Sequence, residues 1–343
     1  MQTIHNILED IKNGKKINWQ EYKLNSLSLS DSYLRISKTM KIKFYKDYFL
    51  NKSIKVKHCG TILTFKEFID NSLKLHSANF CKIRLCPMCT WRRSLKVFGQ
   101  VSKIMDYFES NFGYRYIFLT LTVENVSSDL LSNELDILFK SFELLVKRKE
   151  FKNISKGWFR CLEITHNWEK DNYHPHFHLI IAVNKSYFKK SDQYITHNQW
   201  VKLWQSCLKV NYIPIVDVRT LKPDINNSKN YKTSIAEVAK YAVKYNDYIL
   251  TVKDQKNKDL KNYFDNKTDE VVKTLDKVLQ NRRLIAFGGK FKEIHKKLNL
   301  DNSLDKDLIN TGNEDLIRND LSYTLITYKW NIGFQNYIKI IDY

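Results

Sequence analysis

Two runs of β-branched and aromatic residues, 158–167 (WFRCLEITHN) and 174–183 (HPHFHLIIAV), are separated only by the short polar stretch WEKDNY. Runs of this kind read as strands, and so short a connection leaves room for a hairpin but not for a crossover. Side chains alternate faces along a strand, so His176 and His178 point the same way while Phe177 turns to the opposite side, into a core. A turn centred near residues 170–171 sets Glu163 opposite His178, with Cβ atoms about 4.5–5.5 Å apart. The pattern therefore predicts one carboxylate and two imidazoles, Glu163, His176 and His178, on one surface. That donor set suits a divalent cation and leaves positions open for substrate oxygens and water. His174 lies near the turn and reads as structural, and His166 falls on the face away from Glu163.

The flanking segments extend this hairpin into a sheet. Residues 114–123 (YRYIFLTLTV) and 213–220 (IPIVDVRT) have strand composition. Leu131, Leu135, Leu138, Phe142 and Leu145 recur at helical spacing. Thr196 and Gln199 fit a capping box, and Trp200, Leu203, Trp204 and Cys207 continue that helix. A further helix is expected from Thr233–Ser234 through residue 245. The order β-α-β-β-α-β-α predicts an α+β fold, a central antiparallel sheet flanked by helices of the ferredoxin-like or RNA-recognition-like kind. Four segments are expected along the chain: a helical, polar 1–55, a cysteine-rich 56–110, the sheet-bearing 111–250, and a helical and mixed 251–343. Gly288–Gly289 reads as a turn within the last.

On the helix after Ser234, Ile235, Val238, Ala239, Ala242 and Val243 form an apolar stripe. Glu237, Tyr241, Lys244, Tyr245 and Tyr248 occupy the other face. Glu237 and Tyr241 are i, i+4 neighbours whose side chains can approach one another, although Ser234-x-x-Glu237 also fits a capping box. A phenol beside a metal site is a suitable nucleophile for reversible cleavage of a phosphodiester.

Four of the six cysteines form a second constellation. Cys81-x4-Cys86-x2-Cys89 has knuckle spacing, and Cys59 lies upstream. Together they predict a structural tetrahedral zinc site, with His58 and His76 in reserve. Arg84, Arg92 and Arg93, with Lys82 and Lys96 nearby, form a basic shoulder expected to grip DNA phosphates. Cys161 and Cys207 have apolar neighbours and read as core.

Lys and Arg number 57 against 37 Asp and Glu, a formal charge of +20. A globular chain this basic points to a polyanion, nucleic acid first. The N-terminus mixes acids and bases with no apolar core, unlike a secretory signal. No apolar run approaches the roughly 20 residues of a membrane helix, so a cytoplasmic protein with no membrane partner is expected. Cysteines there serve metals or cores rather than disulfides.

The segments 118–122 (FLTLT), 174–181 (HPHFHLII) and 237–244 (EVAKYAVK) resemble, in order and spacing, the three motifs of plasmid rolling-circle replication initiator proteins of the HUH endonuclease superfamily. The likeness is strongest to the Gram-positive plasmid group with a Glu-x-x-x-Tyr third motif. It extends to 80–96 and 282–300, covering roughly residues 56–300. The resemblance implies an HUH endonuclease core, His176 and His178 as metal ligands, Glu163 as third ligand, Tyr241 as nucleophile, and Glu237 as the residue that activates water at termination. It implies Mn²⁺ or Mg²⁺ at the catalytic site, distinct from the zinc, with Lys240 and Lys244 among the DNA contacts. The implied partners are plasmid origin DNA, double- and single-stranded, and a host helicase and polymerase, with a homodimer left open. Tyr241 and Tyr245 also have the spacing of a two-tyrosine branch, while the Glu237 context fits the single-tyrosine branch. The rival readings are a related relaxase or transposase, and a zinc-containing DNA-binding repressor without nicking activity. Relaxases usually place the tyrosine ahead of the histidines, whereas here it follows them.

Overall fold

A computed structural model describes residues 7–12, 15–189, 193–222, 231, 235–236, 244–250, 258–300, 307–311 and 322–340. The chain folds as two compact units, each assembled from stretches distant in sequence. The first takes residues 1–96, 248–277 and 303–343, and the second takes 97–247 and 278–302. This differs from the four consecutive segments expected above. Composition follows chain order, whereas strand pairing joins residues from opposite ends of the chain.

In the second unit five strands form one antiparallel sheet: β5 (Arg115–Thr122), β6 (Ser155–Asn167), β7 (Asn172–Val183), β8 (Val216–Thr220) and β9 (Ile285–Gly289), in the order β8-β5-β7-β6-β9. The helix α4 (Leu131–Leu145) buries its expected stripe of Leu131, Leu135, Leu138, Phe142 and Leu145. Phe177 of β7 is fully buried and meets Phe139 at 5.3 Å and Phe142 at 5.5 Å between ring centroids. Arg160 lies among the same three rings, its guanidinium 4.3 Å from the Phe177 centroid. The helix α6 (His197–Leu208) has the expected capping box, with Thr196 and Gln199 bonding reciprocally. Its Trp204 indole N–H donates to the Thr122 carbonyl at 2.8 Å, which ties α6 to β5.

Two expectations for this unit are corrected. The segment 213–220 pairs as a strand only from Val216, and Ile213 and Ile215 flank Pro214 exposed. Gly288 and Gly289 end a strand rather than forming a turn. A Cβ on Gly288 would lie 2.2 Å from the Trp158 indole, so that glycine marks a close approach across the sheet. Gly289 has φ +53° and begins the helix Lys290–Lys297.

The first unit contains the hairpin of β1 (Asp10–Lys12) and β2 (Lys15–Ile17), α1 (Trp19–Thr39), α2 (Lys43–His58), the start of α3 (Pro87–Asn111), most of α7 (Lys258–Val278) and a second sheet, while the short α5 (Lys149–Ile154) belongs to the second unit. That sheet is formed by β3 (Ile62–Phe68), β4 (Leu73–Ala78), β10 (Tyr323–Asn331) and β11 (Asn336–Lys339), in the order β11-β10-β3-β4. Trp19 packs edge-on against Phe65 and Trp91 beneath it. A buried carboxylate joins the helices: Asp276 accepts from Tyr33 at 2.8 Å, Tyr48 at 2.9 Å and Lys52 at 2.6 Å. A charge in such a position is tolerated because its partners satisfy it.

Candidate active site

The β6–β7 hairpin carries the first cluster. Asn167 caps its turn by accepting from the backbone N–H groups of Glu169 and Lys170, and Asp171 takes a left-handed conformation at φ +48°. Asn167 pairs with Asn172, so the turn is centred one residue earlier than the sequence suggested. Glu163 consequently lies opposite His176, and Cys161 opposite His178. The shift is two residues in partner, which preserves the face. Glu163 still reaches both rings: its Oε2 is 2.9 Å from His178 Nε2 and 3.6 Å from His176 Nε2, and the two Nε2 atoms are 3.2 Å apart.

These separations fit a metal ion. Ligands about 2.1 Å from an ion place cis octahedral neighbours about 3.0 Å apart, close to the three observed distances. The ring tautomers fit as well. His176 Nδ1 faces the His174 carbonyl at 3.1 Å. A carbonyl only accepts, so the proton sits on Nδ1 and the Nε2 lone pair faces the cluster. His178 Nδ1 faces Thr120 Oγ1 at 3.1 Å, a hydroxyl that can accept its proton and so is compatible with the same tautomer. Glu163 and His176 are almost fully buried. Burial alone would raise the Glu163 carboxyl, but its polar contacts with His176, His178 and Lys244, with the Lys244 charge, hold it far below the usual carboxylate range. It is therefore an anion ready to ligate.

Lys244 reaches the other carboxylate oxygen, Nζ to Glu163 Oε1, at 2.9 Å. Its backbone N–H donates to Asp247 Oδ2 at 3.2 Å. Burial lowers the Lys244 ammonium, but the bond and charge of Glu163 outweigh that and raise it above its ordinary value. The sequence suggested a DNA contact for Lys244, and the structure adds a cationic partner for the ligand carboxylate. His174 stands beside the cluster without joining it, its Nδ1 held by Asn125 Oδ1 at 2.7 Å. Burial, then the neighbouring His176, lowers its pKa. His166 bonds Asp171 instead, away from the cluster.

Glu237, Lys240 and Tyr241 lie outside the described residues. The expected helix does not run through residue 245 as supposed, because Lys244 is non-helical and Tyr245–Asp247 form a short 3₁₀ turn. Tyr248, placed on the polar face by periodicity, is fully buried and donates to the Leu85 carbonyl. Thr120 and the His174 carbonyl were missed by sequence reasoning as ring anchors. The FLTLT motif contains Thr120, but its role follows only from pairing with His178 across β5 and β7. Thr120→Val is expected to weaken divalent-ion affinity by roughly 10- to 100-fold, and Thr120→Ser to restore it. Calorimetric titration with Mn²⁺ checks this, and an unchanged affinity in the valine variant would show that the hydroxyl does not orient the ring.

The second cluster lies in the first unit, where Cys59, Cys81, Cys86 and Cys89 gather their sulfurs within 4.8 Å. A tetrahedral zinc with bonds of about 2.3 Å separates sulfurs by about 3.8 Å. Here Cys59 and Cys89 are 3.5 Å apart, and Cys81 and Cys89 are 3.7 Å apart. Backbone N–H groups of Cys81 and Lys82 donate to the Cys59 and Cys89 sulfurs at 3.3 Å, as suits thiolates. The buried Lys23 ammonium donates to the Lys57 and Cys59 carbonyls, tying α1 to the cluster. Burial brings it down to about 8, against the opposing influence of the cysteines. His58 and His76 are exposed and outside the cluster. Cys161 and Cys207 are buried, as expected for core residues.

The basic shoulder is corrected. Arg92 and Arg93 are buried, and their guanidinium groups donate to backbone carbonyls, Arg92 to Leu308 and Ile309, Arg93 to Ile83 and Lys82. Lys96 is buried too and donates to the Asp307 carbonyl. These charges fasten loops around the cysteine cluster and are not displayed to a phosphate backbone. Arg84 is half-exposed and Lys82 exposed.

An antiparallel sheet that presents two imidazoles and a carboxylate on one strand pair, with a separate four-thiol cluster, defines a metal-dependent nucleic-acid-processing enzyme of the HUH type. A family model described as "Replication protein" matches residues 72–338. The chain is 36% identical over 350 residues to "Protein rep" of Bacillus amyloliquefaciens, covering 97% of both. It is 36% identical over 334 residues to "Protein rep" of Streptococcus pneumoniae serotype 2 (strain D39 / NCTC 7466), covering 96% of this chain and 94% of the relative. It is also 41% identical over 198 residues to "Protein rep" of Staphylococcus aureus, covering 57% and 83%. No solved structure matches the chain. The chain belongs to the replication protein family, the rolling-circle plasmid initiators that its motifs resemble.

Proposed function

We propose that this protein nicks one strand of a plasmid origin through Tyr241, with Glu163, His176 and His178 holding one Mn²⁺ or Mg²⁺ ion. The convergence of one buried carboxylate and two imidazoles on one strand pair carries this reading. The bound ion supplies a Lewis acid for the scissile phosphate. The Tyr241 oxygen attacks phosphorus, the bond to the 3′ oxygen breaks, and that oxygen leaves as a 3′-OH. The 5′ phosphate stays on tyrosine, so one ester replaces another and the strand can be rejoined without ATP. The 3′-OH primes a host polymerase behind a host helicase, and Glu237 activates water for release at termination. Among the described residues no helix is long and apolar enough to cross a membrane, and a plasmid substrate places the work in the cytoplasm.

A nicking assay on supercoiled plasmid with and without the origin tests the reading. Open circles only with the origin, and protein retained on the 5′ end after denaturation, are expected. Binding without nicking in the presence of Mn²⁺ would favour the repressor reading.

The four cysteines are assigned a structural Zn²⁺. Structural zinc contributes on the order of 10 kcal/mol of apparent binding energy, so Cys86→Ser should unfold the first unit well below the wild-type melting temperature. Elemental analysis of protein purified without chelator is expected to find one zinc per chain, and only a trace would count against the assignment.

A further inference from the structure

Among the described residues, the four-stranded sheet of the first unit buries one face and leaves the other half-exposed to exposed. Leu63, Phe65, Ile326, Tyr328, Trp330 and Tyr337 point inward. By register, the outer face carries Ile62, Thr64, Lys66 and, at its end against Tyr323, the buried Phe68 of β3, Lys74 and Ser77 of β4, Tyr323, Leu325, Thr327, Lys329 and Asn331 of β10, and Asn336 and Ile338 of β11. Its charged strand residues are three lysines, Lys66, Lys74 and Lys329, and no carboxylate of these strands shares the face.

Lys66 and Lys74 are directly paired across β3 and β4. Like charges in that position are destabilising. The Lys66 ammonium lies 4.0 Å from the centre of the Tyr323 ring, which positions it without neutralising it. Lys329 lies four residues along β10 from Leu325, the partner of Lys66. At about 3.3 Å per residue that is roughly 13 Å, comparable to the 12 Å width of the duplex major groove. Thr64 and Thr327 bond across the middle at 3.1 Å and keep this stretch polar and low.

We propose that this outer face is a duplex-DNA surface, with Lys66 and Lys74 contacting phosphates on one side of a groove and Lys329 those on the other. The proposal deepens the origin-nicking reading by naming the residues that hold uncut duplex, none of which is Glu163, His176 or His178. Lysines that meet no carboxylate of the described strands on a pleated face fit a polyanion, and their two-sided spacing fits a duplex rather than a single strand.

The test is the salt dependence of binding to a duplex of arbitrary sequence, since phosphate contacts carry no sequence information. Each phosphate neutralised contributes about 0.9 to the slope of log Kobs against log salt. The triple variant Lys66→Ala, Lys74→Ala, Lys329→Ala should therefore lose about 2.7 from that slope. Between 50 and 200 mM salt the wild type should then lose about 40-fold more affinity than the variant. A control triple on helices of the same unit, Lys38→Ala, Lys43→Ala, Lys46→Ala, should leave the slope unchanged. Zinc content and melting temperature show that each variant is folded. An unchanged slope in the sheet variant would overturn the proposal. So would a wild-type dimer lost on substitution with duplex binding intact, which would give the face to a second copy of the chain. Cleavage of a single-stranded origin oligonucleotide by the wild type tests the nicking reading separately.

Discussion

Tyr241→Phe is expected to leave supercoiled origin DNA uncut, with no protein carried on a 5′ end. Phenylalanine keeps the ring and removes the only atom able to form the ester, so the loss should be complete rather than graded. Glu237→Ala is expected to behave differently. The first nick needs a phenol and a stable link, whereas termination needs release, which an activated water provides. A positioned general base contributes roughly 10²–10⁴-fold, and on the role proposed for Glu237 this contribution falls on the termination step. The Glu237 variant should therefore nick and join but fail to stop cleanly, giving multimeric single strands. Tyr245→Phe should remain close to wild type. The readouts are gel assays of nicking, of joining, and of single-strand length. Normal termination in Glu237→Ala with blocked termination in Tyr245→Phe would place the chain with the two-tyrosine mechanism and leave Glu237 as a helix cap.

Replacing a proposed metal ligand should have the next largest effect. His178→Ala removes the ring nearest Glu163, at 2.9 Å, and opens the set of three donors. Lewis-acid stabilisation is worth several kcal/mol, and each 1.36 kcal/mol is tenfold in rate, so nicking should fall by roughly a thousand-fold or more. His176→Ala should act alike. Glu163→Gln should also fail, because it removes the anion that both rings and Lys244 face. Duplex binding should survive in all three, since the surface proposed for duplex is the lysine face of the four-stranded sheet. Excess EDTA should reproduce the defect in wild-type protein, and full nicking in EDTA would remove the metal from the mechanism.

Much of the site was legible because it rests on short-range periodicities. Alternation along β7 put His176 and His178 on one face and Phe177 in the core, and both hold. The α4 stripe and the Thr196–Gln199 box are local patterns that tertiary contacts did not override. The cysteine spacing drew Cys81, Cys86 and Cys89 together through one turn, and Cys59 joined them through β3 and β4.

What the sequence determined by itself were the elements whose partners lie within a turn or a hairpin of one another: the strand pair, its metal-binding face, the amphipathic helices and the thiol knuckle. The tertiary structure alone decided the rest. The one-residue placement of the Asn167–Asn172 turn chose which histidine opposes Glu163, because Asn167 capping and the left-handed Asp171 close the turn earlier than symmetry implied. Pairing of β5 with β7 recruited Thr120 to His178. Folding of the distant 308–309 loop onto α3 took Arg92 out of solvent, and the nearby 82–83 turn did the same for Arg93, each guanidinium donating to backbone carbonyls there. The pairing of β10 with β3, some 260 residues apart, built the outer sheet face. Such contacts depend on which long loops close, and no local period in the chain records that.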